Sequence, residues 1–478
     1  MSAALDRRTK VVCTLGPSTD SASSIRRLIR SGMNVARLNL SHGTPQAHTK
    51  ILEAVKKISR ELGIETAVMM DLPGPKYRVG KLREGKAILR KGAGVTLTTR
   101  NVKGDETLVP VNLPHLPGNV NPGDRILLDD GAMELEVVEK RAQEVKCRVV
   151  VGGILKERRG LVVPGMRISG PFLSVDLKDH LLFSLRQRPD YLAISFVSSA
   201  EDVSAVRDIL RRKNSDIPVL AKIERGQAVS DFDRILAESD GIMVARGDLG
   251  VDIPLERIPL VQKEIIRKCN RAGKPVITAT QMLESMVNAV RPTRAEVTDV
   301  ANAIFDGSDA IMLSAETSIG KYPAEAVRTM DRIALEAERN LPYHPMLRER
   351  SSWIEKQTDE LISYNACYTA AALDAKAIVA YTRSGSTARR VSKYRPGVPV
   401  VAITPDETVC ARLLLHWGVY PVHAETPSSM DGLFSEAAET AKNLGLAKPG
   451  DLIVITGGIP IGTAGATNLL KVQRLDGG

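Results

Sequence analysis

Residues 219–224 read Val-Leu-Ala-Lys-Ile-Glu, and residues 241–248 read Gly-Ile-Met-Val-Ala-Arg-Gly-Asp. Both runs are aliphatic until their last residues, where charged side chains appear. Helical periodicity follows each run, which is the pattern of buried parallel strands connected by crossover helices. The two segments therefore predict β-α units whose charged residues lie at the carboxyl ends of the strands.

The same unit recurs on both sides of these two segments. Strands are expected at residues 10–16, 34–41, 66–72, 190–196, 219–224, 241–247, 275–281 and 310–317. Amphipathic helices are expected at residues 21–31, 45–62, 200–213, 229–237 and 255–272. Eight β-α units predict an α/β fold built on a (β/α)8 TIM barrel.

Two further regions break this pattern. Between the third and fourth strands, residues 79–166 switch to alternating patterns, with strands expected at 94–99, 125–128, 133–138 and 145–150. This predicts an inserted all-β domain, with the barrel on either side at residues 1–78 and 167–341. Beyond it, residues 342–478 again alternate between helix and strand, which predicts a smaller C-terminal α/β domain. Its strands are expected at 377–382, 398–403, 452–456 and 467–472.

Composition narrows the class of protein. At 478 residues, with 43% hydrophobic, 26% charged and only 4% aromatic residues, the chain predicts several globular domains with aliphatic cores. No apolar run approaches a membrane span and the first residues are polar, so we expect a cytoplasmic protein with no membrane segment. The net charge of +10 is dispersed and lacks interleaved aromatics, which argues against nucleic acid and favours small anionic substrates.

Polar residues cluster at the strand ends, where a TIM barrel carries its chemistry. Charged side chains in aliphatic strands are costly to bury unless they are paired or bind a ligand. The candidates at these ends are Arg37, Asn39, Ser41, His42, Asp71, Lys222, Glu224, Gly247, Asp248, Thr280 and Ser314.

Lys222, Glu224 and Asp248 carry the main functional hypothesis. Two carboxylates on consecutive strand ends, with no His or Cys companions, suit Mg²⁺, which also binds phosphate. Lys222 lies two residues before Glu224, so both side chains point to one face and the ammonium can stabilise a transferring phosphoryl group. Ordinary ion pairs, including one between Lys222 and Glu224, are the alternative.

The remaining strand-end residues have weaker signals. Arg37 can add a second cation, and Gly247 allows backbone N–H groups to approach an anion. The hydroxyls of Thr280 and Ser314 could orient a carboxylate or relay a proton, and capping of a local helix is the equal alternative. His42 is expected to be a loop residue or a nucleotide contact rather than a base.

With these residues assembled, the chain resembles the pyruvate kinase family over essentially its full length. The motifs that carry the resemblance are KVVCTLGPS at 10–18, RLNLSHG at 37–43, AKIE at 221–224, ARGDLG at 245–250, ATQMLES at 279–285, RPTRAE at 291–296, DVANA at 299–303 and IMLS at 311–314. The inserted β domain after strand three is the architectural signature of the same family.

The resemblance implies phosphoryl transfer from phosphoenolpyruvate to ADP, giving ATP and pyruvate. By position, Lys222 would stabilise the phosphoryl group, and Glu224 and Asp248 would hold Mg²⁺ or Mn²⁺. The other implied sites are phosphoenolpyruvate contacts from Arg37, Gly247 and Thr280, nucleotide contacts from Asn39, Ser41, His42, Arg78 and Arg159, and K⁺ ligands from Asn39, Ser41, Asp71 and the Leu72 carbonyl. The inserted domain would be a β-barrel lid that excludes water, and Thr280, a water and Ser314 would protonate the enolate.

One departure from the family pattern stands out. Many members have Glu where this chain has Lys76, so its ammonium could supply the charge that K⁺ otherwise provides. We therefore expect K⁺-independent activity.

The C-terminal domain carries a hydroxyl-rich turn at 382–387 between a strand and a helix. The residues Thr382, Ser384, Gly385, Ser386 and Thr387 would bind a sugar-phosphate or nucleotide effector by resemblance, and an ordinary β-α turn is the alternative. A homotetramer is also implied. The competing functions are another Mg²⁺-dependent barrel enzyme acting on phosphoenolpyruvate or pyruvate, which has no reason for a lid, and a catalytically inactive sensor.

Overall fold

A computed structural model describes residues 7–166, 172–460 and 466–476. The first part of the barrel consists of β1 (Lys10–Thr14), α1 (Ala22–Arg30), β2 (Val35–Asn39), α2 (Pro45–Leu62) and β3 (Ala67–Leu72). Local sequence sets the helix ends. Thr44 caps α2 by accepting a hydrogen bond from the Ala47 N–H, and Gly63 ends it in the left-handed conformation with φ 61°.

The insertion after β3 is all-β apart from one helical turn. Its elements are β4 (Lys86–Leu89), β5 (Gly94–Thr98), β6 (Leu108–Pro110), α3 (Leu116–Asn119), β7 (Arg125–Leu128), β8 (Met133–Lys140), β9 (Glu144–Val151), β10 (Gly153–Lys156) and β11 (Leu161–Val162). Over the residues described, their hydrogen bonds form a six-stranded sheet, ordered β11-β7-β8-β9-β5-β6, and a two-stranded sheet of β10 and β4. Both sheets share one apolar core. The sequence predicted β5, β7, β8 and β9 and missed the other four strands.

The second part of the barrel resumes with helix-strand alternation. It comprises α4 (Val175–Gln187), β12 (Tyr191–Ile194), α5 (Ala200–Arg212), β13 (Val219–Ile223), α6 (Gly226–Ser230), α7 (Phe232–Glu238), β14 (Gly241–Ala245), α8 (Arg246–Asp252), α9 (Ile258–Ala272), β15 (Val276–Ala279), α10 (Arg294–Phe305), β16 (Ala310–Leu313), α11 (Ala315–Ser318) and α12 (Pro323–Arg339). The expected domain boundary at 166/167 adjoins residues 167–171, which lie outside the described part of the chain, and the three boundaries stay predictions.

The eight predicted strands close into a parallel barrel in the order β1-β16-β15-β14-β13-β12-β3-β2. This confirms the predicted fold. Inward residues such as Met69, Met243 and Met312 fill the barrel interior, while the outward strand residues pack under the helices. Because all eight strands are parallel, their carboxyl ends share one rim, and the polar residues predicted there are brought to the same face.

The C-terminal domain is an α/β layer. Its elements are α13 (Tyr343–Arg350), α14 (Thr358–Ala372), β17 (Ala377–Tyr381), α15 (Ser386–Lys393), β18 (Val400–Thr404), α16 (Glu407–Leu413), β19 (Val419–His423), α17 (Met430–Asn443), β20 (Leu452–Gly457) and β21 (Leu469–Arg474). The sheet order is β19-β18-β17-β20-β21, with β21 antiparallel. The sequence analysis missed α13, α17 and β19, and β19 is an unusual strand because it contains a proline and ends in a histidine.

The C-terminal domain is anchored under the barrel, at the end opposite the polar rim. Leu414 and Leu415, which follow α16, pack into the core of the barrel interior. The buried guanidinium of Arg395 donates to Oδ1 of Asp309 at 2.8 Å, and Asp309 directly precedes β16. In the described part of the chain, no helix combines the length and the apolar character needed to cross a bilayer.

Candidate active site

A cavity of about 560 Å³ opens at the carboxyl ends of the barrel strands, where the insertion meets the barrel. It brings together nine of the residues predicted from sequence: Arg37, Asn39, Ser41, His42, Lys76, Arg78, Lys222, Glu224 and Asp248. Asn112 of the insertion also lines the cavity, so its wall has both barrel and insertion residues.

Lys222 is the centre of this cavity. Its ammonium lies 2.9 Å from Oε1 of Glu224 and 3.3 Å from Oδ2 of Asp71, and it donates to the Ser195 hydroxyl at 2.7 Å. Burial disfavours the charge, but the two carboxylates outweigh burial and raise the pKa of Lys222. The side chain is therefore a fixed cation that is almost fully withdrawn from water.

Asp71 and Arg37 form a buried ion pair beside Lys222. The Nε atom of Arg37 donates to Oδ2 of Asp71 at 2.7 Å, and its Nη1 donates to the Thr14 hydroxyl at 2.8 Å. Although burial opposes ionisation, Lys222 and Arg37 lower the pKa of Asp71. These contacts orient a second cation beside the first.

Glu224 is buried behind Lys222. Its Oε2 atom accepts a hydrogen bond from the Phe196 N–H at 2.6 Å, and Phe196 has a left-handed backbone with φ 57°. Burial is the largest influence on its pKa, Lys222 opposes burial, and the nearby Asp248 carboxylate adds to it, so that the pKa of Glu224 is raised. A left-handed aromatic residue is a strained arrangement of the kind found at functional sites.

Asp248 and Glu224 fit a divalent cation. The repulsion that Asp248 adds to Glu224 is what a cation between the carboxylates would relieve. Among the described residues, no cluster of three or more His, Cys, Asp or Glu side chains could hold a metal. Mg²⁺ needs no such cage, because it binds through one or two carboxylates together with waters and substrate phosphates.

The ion pairs proposed as the alternative interpretation are also present. Lys222 pairs with Glu224, and the Lys76 ammonium lies 3.4 Å from Oδ1 of Asp248. Lys76 also lies 3.8 Å from Oδ1 of Asp130 in the insertion. Both ion pairs lie in the wall of the open cavity, so the space beside them can still hold a ligand.

Thr280 and Gly247 are joined by a hydrogen bond. The Gly247 N–H donates to the Thr280 hydroxyl at 2.8 Å, and Thr280 has a left-handed backbone with φ 69°. Ser314 directly precedes α11 at the N-cap position, yet its hydroxyl makes no capping bond and is buried without a partner among the described residues. The capping alternative is therefore not observed at Ser314.

Most of the predicted nucleotide residues line the cavity, but Arg159 does not. Asn39, Ser41 and His42 line the cavity, as does Arg78, which also donates to the Arg158 carbonyl at 2.9 Å. The Leu72 carbonyl accepts from the Ser195 N–H at 3.3 Å. Arg159 does not line this cavity; it lies 3.4 Å from Asp129 within the insertion.

Sequence reasoning missed Ser195 and Phe196. The Ser195 hydroxyl accepts from Lys222 and donates to Oδ1 of Asp71 at 3.1 Å, so it links the cation to the inner carboxylate. The Phe196 ring lies between two cations, 5.6 Å from the Lys76 ammonium and 5.3 Å from the Arg225 guanidinium. Their signal was available, because both residues end the fourth predicted strand, but neither carries a charge.

The 382–387 turn lies in the C-terminal domain, away from the barrel rim. Gly385 is left-handed with φ 81°, and the Thr382 hydroxyl is buried with no partner in the described part of the chain. The hydroxyls of Thr387 and Thr467 lie 2.8 Å apart, and the Ser384 hydroxyl donates to that of Ser386 at 3.2 Å. The turn gathers several hydroxyl groups at the start of α15.

Comparisons with known proteins identify the family of the chain. The family model described as "Pyruvate kinase, barrel domain" matches residues 6–327, and "Pyruvate kinase, alpha/beta domain" matches residues 360–473. A pyruvate kinase of Geobacillus stearothermophilus is 44% identical over 98% of this chain and 80% of its own length, and one of Staphylococcus epidermidis is 43% identical with the same coverage.

A solved structure supports the same assignment. The crystal structure of a pyruvate kinase from Cryptosporidium parvum superposes with a TM-score of 0.94 at 37% identity, covering 99% of this chain and 97% of that one. On these matches and on the site geometry, the chain belongs to the pyruvate kinase family.

Proposed function

We propose that Lys222, Glu224 and Asp248 form the phosphoryl-transfer centre of this chain. The family reaction moves a phosphoryl group from phosphoenolpyruvate to ADP, giving ATP and pyruvate in the last step of glycolysis, and the chain is a phosphotransferase of this family. The observation that carries the assignment of the centre is the position of the Lys222 ammonium, buried at 2.9 Å from Glu224 in the wall of the rim cavity.

Lys222 and Arg37 would bind and stabilise negative charge on the phosphoryl group. Both cations are held by Asp71, so they need no reorganisation when charge develops on the equatorial oxygens. As the phosphoryl group passes to an oxygen of the ADP β-phosphate, the bond to the enol oxygen breaks and leaves the enolate of pyruvate. Ser195 would fix the orientation of the Lys222 ammonium by accepting a hydrogen bond from it.

Glu224 and Asp248 would hold the divalent cation that the family requires, which we propose to be Mg²⁺, with Mn²⁺ as a substitute. When bound, such an ion supplies charge neutralisation and orientation for the phosphate oxygens. Phe196 would hold Glu224 in place through its N–H group.

Thr280 and Ser314 would handle the proton that converts the enolate to pyruvate. The unpartnered Ser314 hydroxyl is free to bind a water, and the Thr280 hydroxyl is fixed by the Gly247 N–H. A water between the two hydroxyls would deliver the proton to the enolate carbon. Gly247 and Thr280 would at the same time contact the carboxylate of phosphoenolpyruvate.

The insertion would cover the nucleotide as a lid. Asn39, Ser41, His42 and Arg78 would contact ADP from the rim, and Arg159 would reach it from the insertion. In support, Lys76 already contacts Asp130 of the insertion and Asp248 of the barrel. Closure would exclude water, so that the phosphoryl group passes to ADP rather than to solvent.

Lys76 would make the reaction independent of added K⁺. Asn39, Ser41, Asp71 and the Leu72 carbonyl are the family's K⁺ ligands by position, but the Lys76 ammonium brings a fixed monovalent charge to the same cavity. Its contact with Asp248 supports this assignment, because it places the charge beside a proposed metal ligand.

Two further parts of the proposal concern an effector site in the C-terminal domain and the oligomeric state. The turn carrying Thr382, Ser384, Gly385, Ser386 and Thr387 would bind a sugar-phosphate or nucleotide effector, supported by the unpartnered Thr382 hydroxyl. We also propose a cytoplasmic homotetramer. Initial rates with individual sugar phosphates and nucleotides test the first point, and sedimentation equilibrium tests the second.

A coupled assay of ATP formation tests the function itself. Pyruvate and ATP produced in equal amounts from phosphoenolpyruvate and ADP are the expected result. Consumption of phosphoenolpyruvate without ATP would favour another barrel enzyme, and binding without turnover would favour a sensor; either result would contradict the proposed function.

A further inference from the structure

A second polar cavity lies at the opposite end of the barrel, between the amino-terminal ends of the strands and the C-terminal domain. Its volume is about 370 Å³, which is enough for a small ligand. Barrel residues such as Tyr191, Asp240 and Lys274 form one wall, and Arg389, Arg412 and His416 form the other. A ligand here would contact both domains at once.

His416 is one of the groups that a ligand in this cavity would meet. The residue is only 5% exposed and its imidazole lines the cavity, but no described residue offers its ring nitrogens a hydrogen bond. The ring nitrogens are not among the enclosed side-chain atoms that lack a partner, so they face the space of the cavity, where a ligand can reach them. Burial, followed by the cations of Arg389, Arg395 and Lys10, lowers the pKa of His416 well below its usual value. The imidazole is therefore neutral and presents one N–H donor.

The charges around the ring favour an anion. The Arg389 guanidinium, which also lines the cavity, forms no ion pair within 4.0 Å among the described residues, although Asp240 of the same wall acts on it electrostatically. The acidic residues in the wall are already engaged. Asp216 accepts two hydrogen bonds of 2.8 Å from Arg412, and Oδ2 of Asp240 accepts from Arg207 and from the Val219 N–H, both at 2.8 Å.

We propose that this basal cavity is an oxyanion site in which Arg389 and His416 bind a phosphate group, either free phosphate or that of a small phosphomonoester. A guanidinium and a neutral imidazole N–H are both donors to phosphate oxygens, and the guanidinium adds charge. Ser384 and Gly385 also line this cavity, so it lies on the barrel-facing side of the 382–387 turn. The other side of the turn, at Thr382 and Arg383, lines a separate cavity together with Gly458.

Calorimetric titration of the full-length protein with inorganic phosphate tests the site. The parent protein is the background, and Arg37→Met, which removes a cation of the rim cavity, identifies the part of the signal that comes from phosphate bound at the rim. We expect Arg389→Met in that background to weaken binding about tenfold or more, because a charged hydrogen-bond donor is lost. His416→Leu is expected to weaken it as well. Arg348→Met, which changes an exposed arginine on α13, is expected to leave this binding unchanged.

Crystals soaked in selenate locate the anion independently of affinity. An anomalous peak facing Arg389 and His416 supports the site, and so does competition for it by glycerol phosphate, which would identify phosphomonoesters as the source. Binding unaffected by Arg389→Met would overturn the proposal. Electron density that shows only ordered water beside His416 would overturn it too.

Discussion

The ammonium nitrogen of Lys76 lies 3.4 Å from Oδ1 of Asp248; Lys76 lies between β3 and the insertion, and Asp248 lies in the first turn of α8. The same nitrogen is 3.8 Å from Asp130 of the insertion and 5.6 Å from the centre of the Phe196 ring. One lysine thus joins the proposed lid, the proposed metal ligand and the strained residue that holds Glu224.

Lys76→Glu is expected to create a requirement for K⁺. The parent protein should keep most of its rate when K⁺ is replaced by a large organic cation at constant ionic strength, because the ammonium supplies the charge. The variant should lose at least about tenfold in rate without K⁺ and recover when K⁺ is added, since a carboxylate beside Asp248 needs a counter-charge. Initial rates with and without K⁺ decide the matter.

Lys81→Glu is the matched control. Lys81 is exposed on the insertion, and the same charge change there should leave the response to K⁺ unaltered. A parent protein whose rate collapses without K⁺ would contradict the assignment of Lys76.

Lys222→Met should greatly lower the rate of catalysis but leave the binding of phosphoenolpyruvate largely unchanged. Loss of a preorganised cation at the transferring group is expected to lower kcat by about a thousandfold or more, whereas binding of phosphoenolpyruvate through Arg37 should change little. Stopped-assay kcat and a separate binding titration distinguish the two effects. Circular dichroism is the control for folding, because the variant leaves Glu224 with one partner fewer. A variant with near-normal kcat would exclude Lys222 from the chemistry.

Much of this site was predictable because charge in an aliphatic strand is a strong signal. Lys222 and Glu224 stand out in their sequence runs, and parallel strands bring their ends to one rim whatever the details of packing. Ser195 and Phe196 were missed because a hydroxyl and an aromatic ring at a strand end are ordinary. Their roles depend on contacts with Asp71 and Lys76, which are 124 and 120 residues away in the chain. The contact between α16 and the barrel core likewise could not be predicted, because it joins residues that are far apart in the sequence.

Lys10 is expected to make stability depend on pH in the neutral to alkaline range. It is buried beneath the barrel, donates to the Val419 carbonyl at 2.6 Å, and burial is the main cause that lowers its pKa to about 7 from 10.5. Between these values the unfolded chain binds more protons than the folded one, so the free energy of unfolding rises with pH. Below pH 7 the full cost of burying the charge is present.

Lys10→Met should remove this contribution. Compared with the parent protein, the variant should show a shallower increase in the free energy of unfolding between pH 7 and pH 10, by at most about 1.4 kcal/mol per pH unit. Urea denaturation at four pH values measures the slope for both proteins. Parallel slopes would mean that Lys10 is not the titrating group.

Ser314→Ala should slow proton transfer to the enolate without changing the stability of the protein appreciably. The Ser314 hydroxyl is buried and has no partner in the described part of the chain, so its removal should change the free energy of unfolding by less than about 0.5 kcal/mol. If the hydroxyl holds the water that protonates the enolate, exchange of the pyruvate methyl protons with solvent should fall by about a hundredfold. Deuterium incorporation into pyruvate, followed by NMR, measures that exchange directly. Thr317→Ser is the control, because that hydroxyl is engaged with the Thr14 carbonyl at 2.8 Å and the variant retains it. Unchanged exchange in Ser314→Ala, at unchanged stability, would exclude Ser314 from the relay.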